Sequence, residues 1–143
     1  MIRALAVLAA AWLGTAVVFL ALDAAWLTTT NAALYRPALA PLLAPAVRPV
    51  PAVLFYLIYL TGLVIFAVRP ALADVAGWAG AARRGALFGL VAYATYDLTN
   101  QATLAVWPTR ITLADLAWGA LVSATAAASG ALAGRTMGRR PLR

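Results

Sequence analysis

Apolar residues run along this chain in four long blocks, separated by short stretches where proline, glycine and arginine collect. The blocks fall at about residues 4–27, 50–68, 82–104 and 113–134. A membrane-spanning helix needs about 20 mainly apolar residues, and each block meets that requirement. The pattern predicts an all-α integral membrane protein, a bundle of four transmembrane helices. The first block resembles the apolar core of a signal peptide. It continues through Leu22 and carries Trp12 in mid-run, so it is read as the first span.

The first linker, residues 28–49, is unusual. Pro37, Pro41, Pro45 and Pro49 recur every four residues. Proline inside a helix removes a backbone hydrogen bond and clashes with the preceding turn, so one regular helix is excluded. The segment is still apolar, with Leu34, Tyr35, Leu39, Leu42 and Leu43. It is expected to form broken helical turns on the membrane interface; the alternative is a lid over a pocket. The second linker, residues 69–81, is expected as a short cytoplasmic helix or turn, with Asp74 a solvated charge. The third, Val106-Trp107-Pro108-Thr109-Arg110, is tight. Pro108 should end the preceding helix, and so short a loop makes spans three and four antiparallel neighbours. Residues 1–134 then form a single membrane domain and residues 135–143 a basic cytoplasmic tail.

Composition agrees with this reading. Of the 143 residues, 65% are hydrophobic and 10% charged, against about 25% charged in a soluble domain. Disorder needs the opposite balance. The net charge is +7, every cation is Arg and every acid is Asp. The arginines form no basic stripe, so nucleic acid is not an expected partner. They mark topology instead. With both ends cytoplasmic, Arg3, Arg69, Arg83, Arg84, Arg135, Arg139, Arg140 and Arg143 lie inside, and Arg36, Arg48 and Arg110 outside. The absence of Cys and His removes thiolate and imidazole chemistry. No metal or cofactor is expected.

Charge within a span is costly, and three aspartates carry that cost: Asp23, Asp97 and Asp115. In the N-in, C-in topology all three fall toward the outer side. Tyr56 and Tyr59 start span two at the same level. On a helix, residues three, four and seven apart share a face, so Tyr93, Tyr96, Asp97 and Asn100 form one polar face of span three. Asp23 with Trp26, and Asp115 with Trp118, form two Asp-x-Ala-Trp pairs. These ten residues are the candidate ligand-binding set. A plainer reading has the cluster as a hydrogen-bonded structural core, with Thr112-x-x-Asp115 as a capping box and Asp23 paired with Arg36 or Arg110. In the inner half, Gly85-x-x-x-Gly89 and the Gly119, Ser123, Ala127 series read as helix-packing surfaces.

The stretches Phe19-Leu-Ala-Leu-Asp23-Ala-Ala-Trp26-Leu27, Phe55-Tyr56-Leu-Ile-Tyr59, Gly89-Leu-Val-Ala-Tyr93-Ala-Thr95-Tyr96-Asp97-Leu-Thr99-Asn100 and Asp115-Leu-Ala-Trp118-Gly119 resemble a bacterial membrane family catalogued as domain of unknown function 2177. The resemblance covers roughly residues 10–132, and Tyr-Asp-Leu-Thr-Asn is its most specific part. It implies a small four-span inner-membrane protein and no assigned activity. The proline-rich linker and the arginine-rich C-terminus stand outside that pattern.

Three functions fit the residues. The first is binding or processing of a hydrophobic small molecule or lipid in an outer-leaflet polar pocket. The second is an accessory role in a larger membrane complex or homo-oligomer. The third is a small proton-coupled carrier. The first predicts a cavity beside Asp97; a closed core there would remove it.

Overall fold

In a computed structural model of the chain, which describes residues 2–139, the apolar blocks form long helices. The first, α1, is Ile2–Thr30. It passes through a π-helical turn, Asn31–Tyr35, into the short α2, Arg36–Leu39, and a 3₁₀ turn, Ala40–Leu42. The second block, α3 (Pro49–Leu63), likewise passes through a π-helical turn, Val64–Val68, into the short α4, Arg69–Ala73. The bundle is completed by α5, Gly77–Thr103, and α6, Thr109–Arg139. No strand occurs among the described residues.

The two π turns share a cause. Each leads into the same four residues, Arg-Pro-Ala-Leu, at Arg36–Leu39 and at residues 69–72. Pro37 and Pro70 bring no N–H to the ladder, and their rings press on the carbonyl one turn back. A wider turn just before each proline accommodates that ring without ending the helix. The proline-rich linker is therefore helical over its first half, and the chain leaves helical geometry only at Leu43.

Three helical stretches, Ile2–Leu42, Pro49–Ala73 and Thr109–Arg139, are long and apolar enough to cross a membrane by length and composition. Helix α5 is 27 residues long and less apolar, because it carries Arg83, Arg84, Asp97 and Asn100. It packs along α6, which makes the most extensive contacts of the fold with α5 on one side and α1 on the other.

Small residues set these approaches. A Cβ on Gly89 would lie 2.0 Å from the Gly119 carbonyl oxygen, and one on Gly85 would lie 2.5 Å from that of Ser123. On the α1 side, a Cβ on Gly130 would lie 2.0 Å from the Thr15 hydroxyl and 2.8 Å from the Ala11 carbonyl. Backbone contact at this range is what small residues one turn apart permit in membrane helices. The sequence reading of these positions as packing surfaces agrees with this geometry.

The contacts also fix direction. The Arg3 guanidinium donates to the Gly138 carbonyl at one end of the bundle, whereas Trp118 reaches Asp23 near the other. Thus α1 and α6 are antiparallel, as are α5 and α6. Arg3, Arg69, Arg83, Arg84, Arg135 and Arg139 gather at one end, and Arg36, Arg48 and Arg110 at the other; Arg140 and Arg143 lie outside the described residues.

Two local expectations are corrected at the helix starts. Thr112 does not cap α6, which begins at Thr109 behind Pro108. The Thr112 hydroxyl instead donates to Gln101 of α5 at 2.8 Å, leaving Asp115 free for other contacts. Asp74 is not simply solvated. One oxygen accepts the Ala76 N–H at 3.0 Å and the other pairs with Arg84 at 2.8 Å. The Arg84 hydrogen bond, with the Ala76 N–H second, holds the Asp74 carboxyl below the ordinary carboxylate range. Beside it, Gly77 opens α5 at φ +50°, the left-handed region glycine favours, and Arg135 donates to the Asp74 carbonyl at 2.9 Å. Residues 135–139 therefore continue the packed helix α6.

Candidate functional site

The proline-rich segment turns back over the arginine-poor end of the bundle. Ala38 and Leu39 bury against Ile111 of α6, with Leu34, Tyr35 and Trp107 around them. This fold-back places Tyr35 against the bundle. Its hydroxyl donates to the Asp115 carboxylate and accepts from the Trp26 indole N–H at 2.8 Å.

The two Asp-x-Ala-Trp pairs cross between α1 and α6. Trp26 and Trp118 stack with centroids 4.5 Å apart and planes 7° apart. From that stack Trp118 donates to Asp23 of the opposite helix at 3.4 Å. Trp26 reaches Asp115 of the opposite helix through Tyr35. Asp23 also accepts from the Tyr56 hydroxyl of α3 at 2.6 Å. Its expected pairing with Arg36 or Arg110 is not formed. The neutral hydroxyl and indole donors satisfy the carboxylate, and both cations stay exposed at the bundle end.

Asp97 differs from its two neighbours. It is fully buried on α5; no N–H or hydroxyl donor reaches either carboxyl oxygen, and its hydrogen-bonding neighbour is the carboxyl of Asp115. The one ionisable group of α6 beside it is a second acid, Asp115. Hydroxyls nearby are directed elsewhere: Tyr59 is 2.7 Å from Ser123, and Tyr96 lies beside Asn100. A buried carboxyl whose polar neighbour is a second carboxyl, with no N–H or hydroxyl donor, requires a reason.

A cavity of about 420 Å³ adjoins Asp97, lined by Phe55 and Tyr59 of α3, Ala92, Tyr93, Tyr96 and Asp97 of α5, and Asp115 of α6. It exists because α3 and α5 diverge. They pack closely at the π turn Val64–Val68, but α3 itself makes little backbone contact with α5. Aromatic rings bridge the base of the gap, where Tyr59 meets Phe88 edge-on at 5.3 Å and Tyr93 at 6.3 Å. Phe55 and Tyr96 stand at the rim, both exposed on the helix surface, so the cavity opens sideways from the bundle. The volume is in the range of small-molecule pockets, roughly 300–1,000 Å³.

Of the ten candidate residues, Tyr59, Tyr93, Tyr96, Asp97 and Asp115 line this cavity. Asp23, Trp26, Tyr56 and Trp118 do not. They form the hydrogen-bonded layer next to it that fixes α1, α3 and α6. Asn100 lies beyond the rim, next to Tyr96. Sequence reasoning missed three participants. Phe55 is four residues from Tyr59, and Ala92 four from Tyr96, so the same-face rule would have found both. Tyr35 gave no such signal, because only the fold-back of its segment brings it to Asp115. Among the described residues, no three side chains of metal-ligating type come together.

The family model described as "Predicted membrane protein (DUF2177)" matches residues 8–132. No curated protein and no solved structure matches.

Proposed function

The chain belongs to the DUF2177 family of predicted membrane proteins, and we propose that it binds a hydrophobic small molecule or lipid in the cavity between α3 and α5. The observation that carries this reading is the cavity itself. Its walls are mostly aromatic, it opens at an exposed helix surface, and a buried carboxyl lies at its back. Ligand pockets combine such apolar walls with a few convergent polar groups. Lipid reaches the opening by lateral diffusion, and the proline-rich segment closes the end of the bundle above it.

In this reading the membrane is the bacterial inner membrane, and both termini are cytoplasmic. The six described arginines gathered at one end of the bundle, against three at the other, support that orientation through the positive-inside rule. The cavity then lies in the outer leaflet, and membrane lipid is its partner.

The test fills the cavity. Ala92→Trp places an indole between Tyr93 and Tyr96 without touching the Asp23 layer. Gentle purification followed by native mass spectrometry should find a bound amphiphile on the wild type and at least a tenfold lower occupancy on Ala92→Trp. Equal occupancy of the two proteins would overturn the proposal.

A further inference from the structure

We infer that the cavity selects amphiphiles with a cationic head, an alkylammonium or similar organic cation, over neutral and anionic ones. This deepens the proposed function and rests on it. Three observations support it. Asp97 is fully buried, lines the cavity, and receives no N–H or hydroxyl donor from the protein. The adjacent titratable group from α6 is another acid, Asp115, and no arginine pairs with either among the described residues. Four aromatic rings, those of Phe55, Tyr59, Tyr93 and Tyr96, form the rest of the wall with Ala92.

The comparison within the molecule sharpens the point. Asp23 and Asp115 each receive donors from the protein, Tyr56 and Trp118 for the first and Tyr35 for the second. The fold thus gives hydroxyl or indole donors to two of its three intramembrane carboxyls and leaves Asp97, one of the two that line the cavity, with only the Asp115 carboxyl beside it. A buried acid pair without a counter-charge is unfavourable, and a bound cation supplies that charge. Aromatic walls hold an organic cation through the ring quadrupole, most strongly where water is excluded. An anionic head would add a third negative group to the acid pair. A neutral head would leave the pair uncompensated.

The experiment compares three probes of one chain length on the full-length protein in dodecyl maltoside micelles. These are dodecyltrimethylammonium, its uncharged carbon isostere ending in a tert-butyl group, and dodecyl sulfate. Binding is read as a change in the protein's intrinsic tyrosine and tryptophan fluorescence, with each probe at the same mole fraction in the micelle. The wild type should bind the cation at least tenfold more tightly than the isostere, with dodecyl sulfate weakest. Asp97→Asn removes the charge and keeps the shape. It should bind the isostere as the wild type does and lose the preference for the cation. Should that variant not fold, Tyr96→Leu at the exposed rim should weaken the cation several-fold more than the isostere. Equal or tighter binding of the isostere by the wild type would overturn the inference and leave the pocket standing. Failure of all three probes to bind, or binding unchanged by Ala92→Trp, would overturn the pocket reading as well.

Discussion

Single hydrogen bonds at the cavity end divide into those that hold the bundle and those that face the opening. Tyr56 belongs to the first kind, since its hydroxyl supplies the shorter of the two donors to the buried Asp23 carboxylate. Tyr56→Phe leaves that carboxylate with one long bond from Trp118 and should cost about 1–3 kcal/mol. Thermal unfolding in detergent should show the loss. Tyr96→Phe, at an exposed rim position, should leave unfolding within about 0.5 kcal/mol of the wild type. A matched loss in both variants would contradict this division. At this scale the sequence was a good guide to which residues matter and a poor one to their partners. Depth along each span follows from counting residues, so Asp23, Asp97 and Asp115 could be placed at one level. Which donor reaches which carboxylate depends on how helices distant in sequence rotate against each other. That is why Asp23 meets Tyr56 and Trp118 instead of an arginine.

Helices in this fold approach as closely as their glycines permit, and this yields two predictions. A Cβ at Gly89 meets backbone, the Gly119 carbonyl at 2.0 Å, and backbone cannot rotate away. Gly89→Ala should therefore destabilise by about 1–3 kcal/mol or more, read as a lowered unfolding midpoint. Gly138→Ala, whose Cβ would meet Val7 at an ordinary 3.7 Å, should be neutral or slightly stabilising. The second prediction concerns the turn between α4 and α5. Asp74 is held below the ordinary carboxylate range by Arg84 and the Ala76 N–H. A depressed folded-state value means that its contribution is present above the unfolded-state range. The contribution is lost as pH falls through the folded value. Unfolding midpoints of the wild type should therefore fall on acidification through that window, and Asp74→Asn should flatten this part of the profile. An identical acid limb in both proteins would contradict the role of the tether. Helix number and the antiparallel α5–α6 pair were legible from apolar block length and the short third linker. The π turns were not, because nothing in apolar periodicity marks a wider turn. In hindsight the Arg-Pro-Ala-Leu stretch that follows both of them was a usable signal.

The whole molecule is a bundle with two unlike ends. One is tied by glycine seams and arginine contacts to backbone carbonyls; the other holds the acids, the aromatic rings and a side opening. Reporter fusions should place the loop around Asp74 in the cytoplasm and the turn at Pro108 outside; the reverse would move the cavity to the inner leaflet. The cavity itself was only partly legible. Its polar lining followed from the face shared by Tyr93, Tyr96 and Asp97, but its existence depends on the divergence of α3 from α5, a tertiary property. The most direct measurement of the central claim is photolabelling with a bilayer-partitioned alkyl diazirine, mapped by mass spectrometry of the digested protein in lipid nanodiscs. The account predicts adducts concentrated on Phe55, Tyr59 and Tyr96, and their loss in Ala92→Trp. Adducts spread evenly over the lipid-facing residues of all four long helices, unchanged by Ala92→Trp, would contradict it.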